Sequence, residues 1–128
     1  MRYLSPAWFD AASDALAGDP GLAAATADLH LTLEQFVTRA PEGTVTWHLV
    51  IGDGVQLVQG SASAPDLRFT TAYPTAAAIA AGELPAPIAF IRGELRVGGD
   101  LTLLTTHQRA LGAIHDVLSE VRKATDDA

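Results

Sequence analysis

A chain of 128 residues, 48% apolar and only 18% charged, is long enough for one domain with its own core. Eight Lys and Arg against fifteen Asp and Glu leave a net charge of −7, which opposes both phosphate backbones and anionic membrane surfaces. The absence of cysteine removes any disulfide frame, thiol nucleophile or thiolate metal site.

Ser5-Pro6 marks a helix start, a hydroxyl cap followed by proline at the first helical position. Trp8, Phe9, Ala12 and Leu16 then share one face at helical spacing. Ser5, Asp10, Ser13 and Asp14 interrupt the apolar positions of Met1–Leu16, so this is not read as a signal peptide. No stretch approaches the ~18–20 apolar residues of a membrane span, and the expected location is the cytoplasm. Gly18-Asp19-Pro20-Gly21 is expected to stop the first helix, with a second helical turn over Leu22–Ala27.

From Asp28 the period falls to two. Leu29, Leu31 and Leu33 alternate with His30, Thr32 and Glu34, the pattern of a half-buried strand that Phe36 and Val37 extend through a kink. Pro41-Glu42-Gly43 is a turn. Val45, Trp47, Leu49 and Ile51 then alternate with Thr44, Thr46 and His48, and Gly52-Asp53-Gly54 turns the chain into a return strand over Val55–Gly60, giving a hairpin. Ser61–Pro65 is a loop, and Asp66–Thr71 alternates again around Leu67 and Phe69.

Pro74 opens an alanine-rich helix ending at Gly82. Pro85 and Pro87 open a short one over Ile88–Arg92, which Gly93 caps. Glu94–Val97 is a last short strand, broken by Gly98-Gly99. Asp100 caps a single long helix, about Leu101 to Lys123, with Leu104, His107, Leu111, Ile114, Leu118 and Val121 as its apolar stripe. The tail Thr125–Ala128 is expected to fray. Strands with one apolar and one polar face require helices on one side of a sheet, an α+β domain spanning residues 1–128.

Several of these segments together resemble the sterol carrier protein type 2 family of lipid-binding domains in its small stand-alone bacterial form. They are Val45-Thr46-Trp47-His48-Leu49 before the Gly52-Asp53-Gly54 turn, Ala64-Pro65-Asp66-Leu67, Ala80-Ala81-Gly82, and the run from Ala89-Phe90-Ile91-Arg92-Gly93 through Gly98-Gly99-Asp100-Leu101. The similarity runs from about Asp28 to Leu118. The leading helix is not a fixed family feature, and the final helix is longer than in many members. The resemblance implies a twisted, mostly antiparallel five-stranded sheet with helices on one face. It also implies an apolar cavity between them that takes sterols, fatty acids or acyl-CoA.

The residues expected to line that cavity are Leu33, Trp47, Leu49 and Phe69 from the sheet, and Ile79, Ile88 and Phe90 from the short helices. Leu104, His107, Leu111 and Ile114 join them from the last helix. Ala76, Ala77, Ala78, Ala80 and Ala81 fill little volume, which suits either close helix–sheet contact or open space. His107 and Trp47 are the candidate polar handles at the pocket; the other reading of His107 is a half-buried structural residue.

Catalytic chemistry finds little support. His30 and His48 occupy the polar phase of their strands, the position of solvated residues, with the option of facing each other across the sheet. His115 and Asp116 are adjacent on a helix and do not face each other. Ser61 and Ser63 lack a Gly-x-Ser-x-Gly elbow, and neither glycine cluster has nucleotide-loop spacing. Asp66 and Glu94 lie on polar strand faces rather than converging in a cleft. The expectation is therefore non-catalytic binding and transfer of a hydrophobic small molecule. No cofactor, metal, nucleic acid or stable membrane insertion is expected, and a homodimer is left open. The rivals are an interaction or dimerisation module built on the near-heptad final helix, and a small cavity-containing isomerase or hydrolase.

Overall fold

The computed structural model describes residues 2–52 and 54–123, so Asp53 of the hairpin turn and the tail expected to fray lie outside the described residues. Ser5 starts the first helix as its sequence requires: its Oγ accepts from Trp8 N at 3.2 Å, opening α1 (Pro6–Gly18). Trp8, Phe9, Ala12 and Leu16 form its buried face. Gly18-Asp19-Pro20-Gly21 does more than stop this helix. Asp19 accepts from Leu22 N at 2.8 Å and caps α2 (Pro20–Ala25), so Pro20 and Gly21 already belong to the second helix.

Three strands follow, β1 (Leu31–Ala40), β2 (Gly43–Ile51) and β3 (Val55–Gln59), as an antiparallel meander. β1 shows no kink at Phe36. It pairs regularly through Val37, and its irregularity falls between Val37 and Ala40, where Arg39 has a φ of 59°. The chain then crosses back to lay β4 (Leu67–Ala72) parallel to β1, and β5 (Leu95–Gly99) pairs antiparallel with β4. The sheet order is β3-β2-β1-β4-β5.

The crossover from β3 to β4 runs over the sheet face away from the helices, and this changes the status of that face. Glu34, expected on a wet surface, is only 4% exposed. Its carboxylate accepts from Ala62 N of the crossover at 2.9 Å and pairs with Arg68 Nε at 2.8 Å. His48 lies opposite Glu34, not opposite His30, and its Nδ1–H donates to the Gly60 carbonyl at 2.8 Å. At the start of β4, Asp66 and Thr32 are joined twice: Thr32 N donates to Asp66 Oδ2 and Asp66 N donates to Thr32 O, both at 2.8 Å.

Between β4 and β5 lie α3 (Tyr73–Ala80) and α4 (Ala86–Ile91). Gly93, at a φ of +77°, closes α4 in a Schellman turn, with Glu94 N bonded to Ala89 O at 2.9 Å and Gly93 N to Phe90 O at 3.1 Å. Gly98-Gly99, expected to break the last strand, is part of it, in register with Arg68 and Leu67. Gly99 has a φ of +102°, and a Cβ there would run into the Asp66 carbonyl, so only glycine fits.

The final helix is two helices, α5 (Thr102–Thr106) and α6 (Gln108–Lys123), separated by His107 at φ −113°, ψ 29°. The apolar stripe runs on through the break, which is why spacing alone joins them. The β-branched pair Thr105-Thr106 lowers helix propensity where α5 ends. Asp100, expected as the cap, lies one residue before the N-cap position, which is Leu101; its carboxylate instead accepts from Thr102 Oγ1 at 2.6 Å and Thr102 N at 3.1 Å. These two bonds, the hydroxyl's first, hold its carboxyl below the usual range. α1 packs on β3, α3 on β1 and β4, and α4 on β5, while α6 lies against α1, α2 and α3.

Candidate functional site

Strand register brings one row of side chains across the helix-covered face of the sheet. Trp47 of β2 lies opposite Gln35 of β1, Gln35 opposite Phe69 of β4, and Phe69 opposite Val97 of β5. Burial falls along that row. Trp47 is 3% exposed beneath α1, whereas Gln35, Phe69 and Val97 are only partly covered. The rows on either side are closed: Leu33, Leu49 and Leu67 are 3%, 2% and 0% exposed, and Val37 and Thr71 are 1% and 6%. Along this one row the helix-facing side of the sheet is thus closed at Trp47 and only partly covered at Gln35, Phe69 and Val97.

The sealed end is aromatic. Trp8 of α1 meets Trp47 edge-on, ring centres 5.6 Å apart, and Phe9 meets Trp47 at 6.0 Å. Tyr3 continues the cluster, 5.0 Å from Trp8 and 5.6 Å from Tyr73. Two polar atoms inside it are unpaired: neither Trp8 Nε1 nor Trp47 Nε1 has a hydrogen-bond partner among the described residues.

The residues expected to line a pocket separate into three groups. Leu33, Trp47, Leu49 and Ile114 are buried in one continuous core cluster. Phe69, Leu104 and Leu111 are partly buried and pack against that cluster, with Ile79 and His107 also partly covered. Ile88 and Phe90 are 39% and 48% exposed on α4, whose inward residue is Ala89. The two depressions nearest to a pocket lie elsewhere. One is a void of about 10 Å³ lined by Tyr3, Ala40, Val45 and Tyr73 among others. The other is an open groove of about 410 Å³ between α1 and α6, bordered by Asp19, Asp116 and Glu120. Neither touches the expected lining.

Sequence reasoning missed Gln35 and Trp8. Strict alternation from Leu31 and Leu33 to Val37 places Gln35 on the inner face, but a polar residue at an apolar phase reads as a break. Trp8 reads as part of the α1 face, and its contact with Trp47 is long-range.

Other chemistry stays dispersed. His30 is exposed, and His115 Nε2 sits 3.3 Å from Ser119 Oγ on the surface of α6. Among the described residues no three His, Cys, Asp or Glu side chains converge as a metal site, and no helix is long and apolar enough to cross a membrane.

The model of the SCP-2 sterol transfer family matches residues 10–112. Among curated proteins none matches. Solved structures share the fold. A sterol carrier protein 2 crystal structure is 21% identical at a TM-score of 0.75, covering 93% of this chain and 98% of that one. A conserved hypothetical protein from Thermus thermophilus, described as possibly a sterol carrier protein, is 22% identical at 0.74, covering 100% and 94%. A palmitated SCP2L2 from Aedes aegypti is 19% identical at 0.62, covering 88% and 96%. At these identities the likeness speaks for the fold alone.

Proposed function

The chain belongs to the SCP-2 sterol transfer family, and on that premise we propose that it binds and passes on a hydrophobic small molecule of the sterol or acyl type without transforming it. The observation that carries this reading is the family match over residues 10–112. Phe69 and Val97, apolar residues of the inner sheet face that are only partly covered, support this reading, as do Leu104 and Leu111, which are likewise partly buried against the core. Apolar burial at ~0.8 kcal/mol per methylene would supply the affinity. The remaining expected lining residues, Leu33, Leu49, Ile79 and Ile114, would be reached as the space widens around a guest. His107, at the α5–α6 break, is the candidate polar handle nearest the helices.

A dimerisation module built on the final helix loses its main support in the fold. Ile114 and Val121 of the near-heptad stripe are 4% and 8% exposed in this chain's own core, and Leu111 and Leu118 are partly buried against that core.

Native mass spectrometry of protein purified without detergent, with organic extraction of what is bound, tests the reading. A co-purified lipid is expected, as is a change in Trp8 and Trp47 fluorescence on titration with acyl chains. An empty protein whose tryptophans do not respond to any such ligand would overturn it.

A further inference from the structure

The two unpaired indole N–H groups restrict what the guest can be. Trp47 and Trp8 are 3% and 1% exposed, and Nε1 of each is buried without a partner among the described residues. An indole N–H donates and cannot accept, so its missing partner is an acceptor. A buried donor left without one is a standing cost, and native folds rarely carry two side by side.

The surroundings decide which acceptor. Beside Trp47 in the row stands Gln35, a neutral amide next to the partly covered Phe69 and Val97. The inner-face positions around it are uncharged: Leu31, Leu33 and Val37 on β1, Leu49 and Ile51 on β2, Leu67 and Thr71 on β4. Arg122 is engaged over the Tyr3 ring at 5.8 Å. A carboxylate seated against Trp47 and Gln35 would lose its hydration without a cation in return, a far larger penalty than that of a neutral oxygen. A bare hydrocarbon would leave the donors as they are.

We propose that the preferred guest is an uncharged lipid with a hydrogen-bond-accepting oxygen, an alcohol, ester or ketone, seated head-inward. Its oxygen accepts from Trp47 Nε1 beside the Gln35 amide, and its hydrocarbon lies over Phe69 and Val97. This rests on the carrier reading above and narrows it against the fatty-acid anion and the acyl-CoA head.

The test compares three guests of one chain length at pH 8: 1-dodecanol, methyl dodecanoate and ionised dodecanoate. Affinity is read by tryptophan fluorescence. The two indole N–H resonances are followed in 15N-labelled protein and assigned with Trp8→Phe. The alcohol and ester are expected to bind at least about tenfold more tightly than the anion, which can accept the same hydrogen bond but gives up its hydration without a cation, and to move the Trp47 indole proton downfield. In Gln35→Leu the alcohol and ester should bind about threefold to tenfold more weakly, having lost the amide beside their oxygen, while the anion gains nothing. Equal or tighter binding of dodecanoate, or binding that leaves both indole resonances in place, overturns the proposal while the carrier reading stands. Failure of all three guests to bind overturns the proposal, and the carrier reading falls with it only if the native mass spectrum is also empty and a sterol leaves the tryptophans unchanged. The resonance shift is read in the wild-type protein, so a variant that does not fold leaves the test intact.

Discussion

Glu34 shows how a single side chain can carry information that local pattern does not. Its phase in β1 is that of a solvated residue, yet the Gly60–Pro65 crossover lies over it, and its carboxylate joins β1, β4 and the crossover through Arg68 and Ala62 N. Arg68 keeps 49% of its side chain exposed and stacks on Phe36 at 4.6 Å, so it returns to water easily if its partner is lost. The Ala62 N–H has no such escape. Glu34→Leu is expected to destabilise the fold by about 2–3 kcal/mol, chiefly through that stranded donor, and Glu34→Gln, which still accepts, by about 1 kcal/mol. Urea unfolding of the three proteins measures both; equal losses would show that charge rather than the acceptor matters. Nothing in the neighbourhood of Glu34 in sequence foretells this, because Ala62 and Arg68 reach it only once β4 has been placed parallel to β1.

At the scale of elements, α4 runs against the usual pattern. Its small residue, Ala89, is 0% exposed, and its large ones, Ile88, Phe90 and Ile91, are 39%, 48% and 80% exposed. A short helix packed closely against β5 has room inward only for a methyl group. Ala89→Leu should therefore cost about 1–3 kcal/mol through overpacking, while Ile91→Ser should change stability by no more than about 0.5 kcal/mol, reversing what residue size suggests. Thermal melts of the two variants decide it, and a large loss in Ile91→Ser would mean that α4 is seated differently. Elements with strong periodicity are legible in the sequence: the buried face of α1, the β2–β3 hairpin and the capped start at Ser5 follow from neighbouring residues alone. The α5–α6 break is not, because Leu104, His107 and Leu111 keep their spacing across it. Apolarity assigns Ile88 and Phe90 inward, but it does not record which side of a two-turn helix meets the sheet. In the candidate site, Trp47, Leu49 and Phe69 can be placed by alternation, whereas Gln35 and the pairing of Trp8 with Trp47 depend on strand register and on where α1 lies.

For the whole molecule, the segment before β1 is integral to the core. Tyr3, Trp8 and Phe9 are 7%, 1% and 4% exposed, and their rings join Trp47 of the sheet to Tyr73 of α3. Tyr73 Oη donates to the Tyr3 carbonyl at 2.9 Å, and Arg122 of α6 lies over the Tyr3 ring, so one residue ties the N-terminal segment to two helices. Burial, reinforced by Tyr73 and offset in part by Arg122, pushes the Tyr3 phenol well above its ordinary range. The folded chain therefore favours the neutral phenol, and the unfolded chain gives up the proton first. Stability tied to this group is whole below the unfolded value near ~10 and falls by about 1.4 kcal/mol per pH unit as the pH rises from there toward the folded value. Alkaline titration should show the Tyr3 phenolate absorbance appearing together with loss of the far-ultraviolet helix signal, and Tyr3→Phe should move that transition to higher pH. A Tyr3 that ionises near pH ~10 with the helix signal intact would mean that the N-terminal segment lifts off the core in solution, exposing the Trp8–Trp47 end of the sheet.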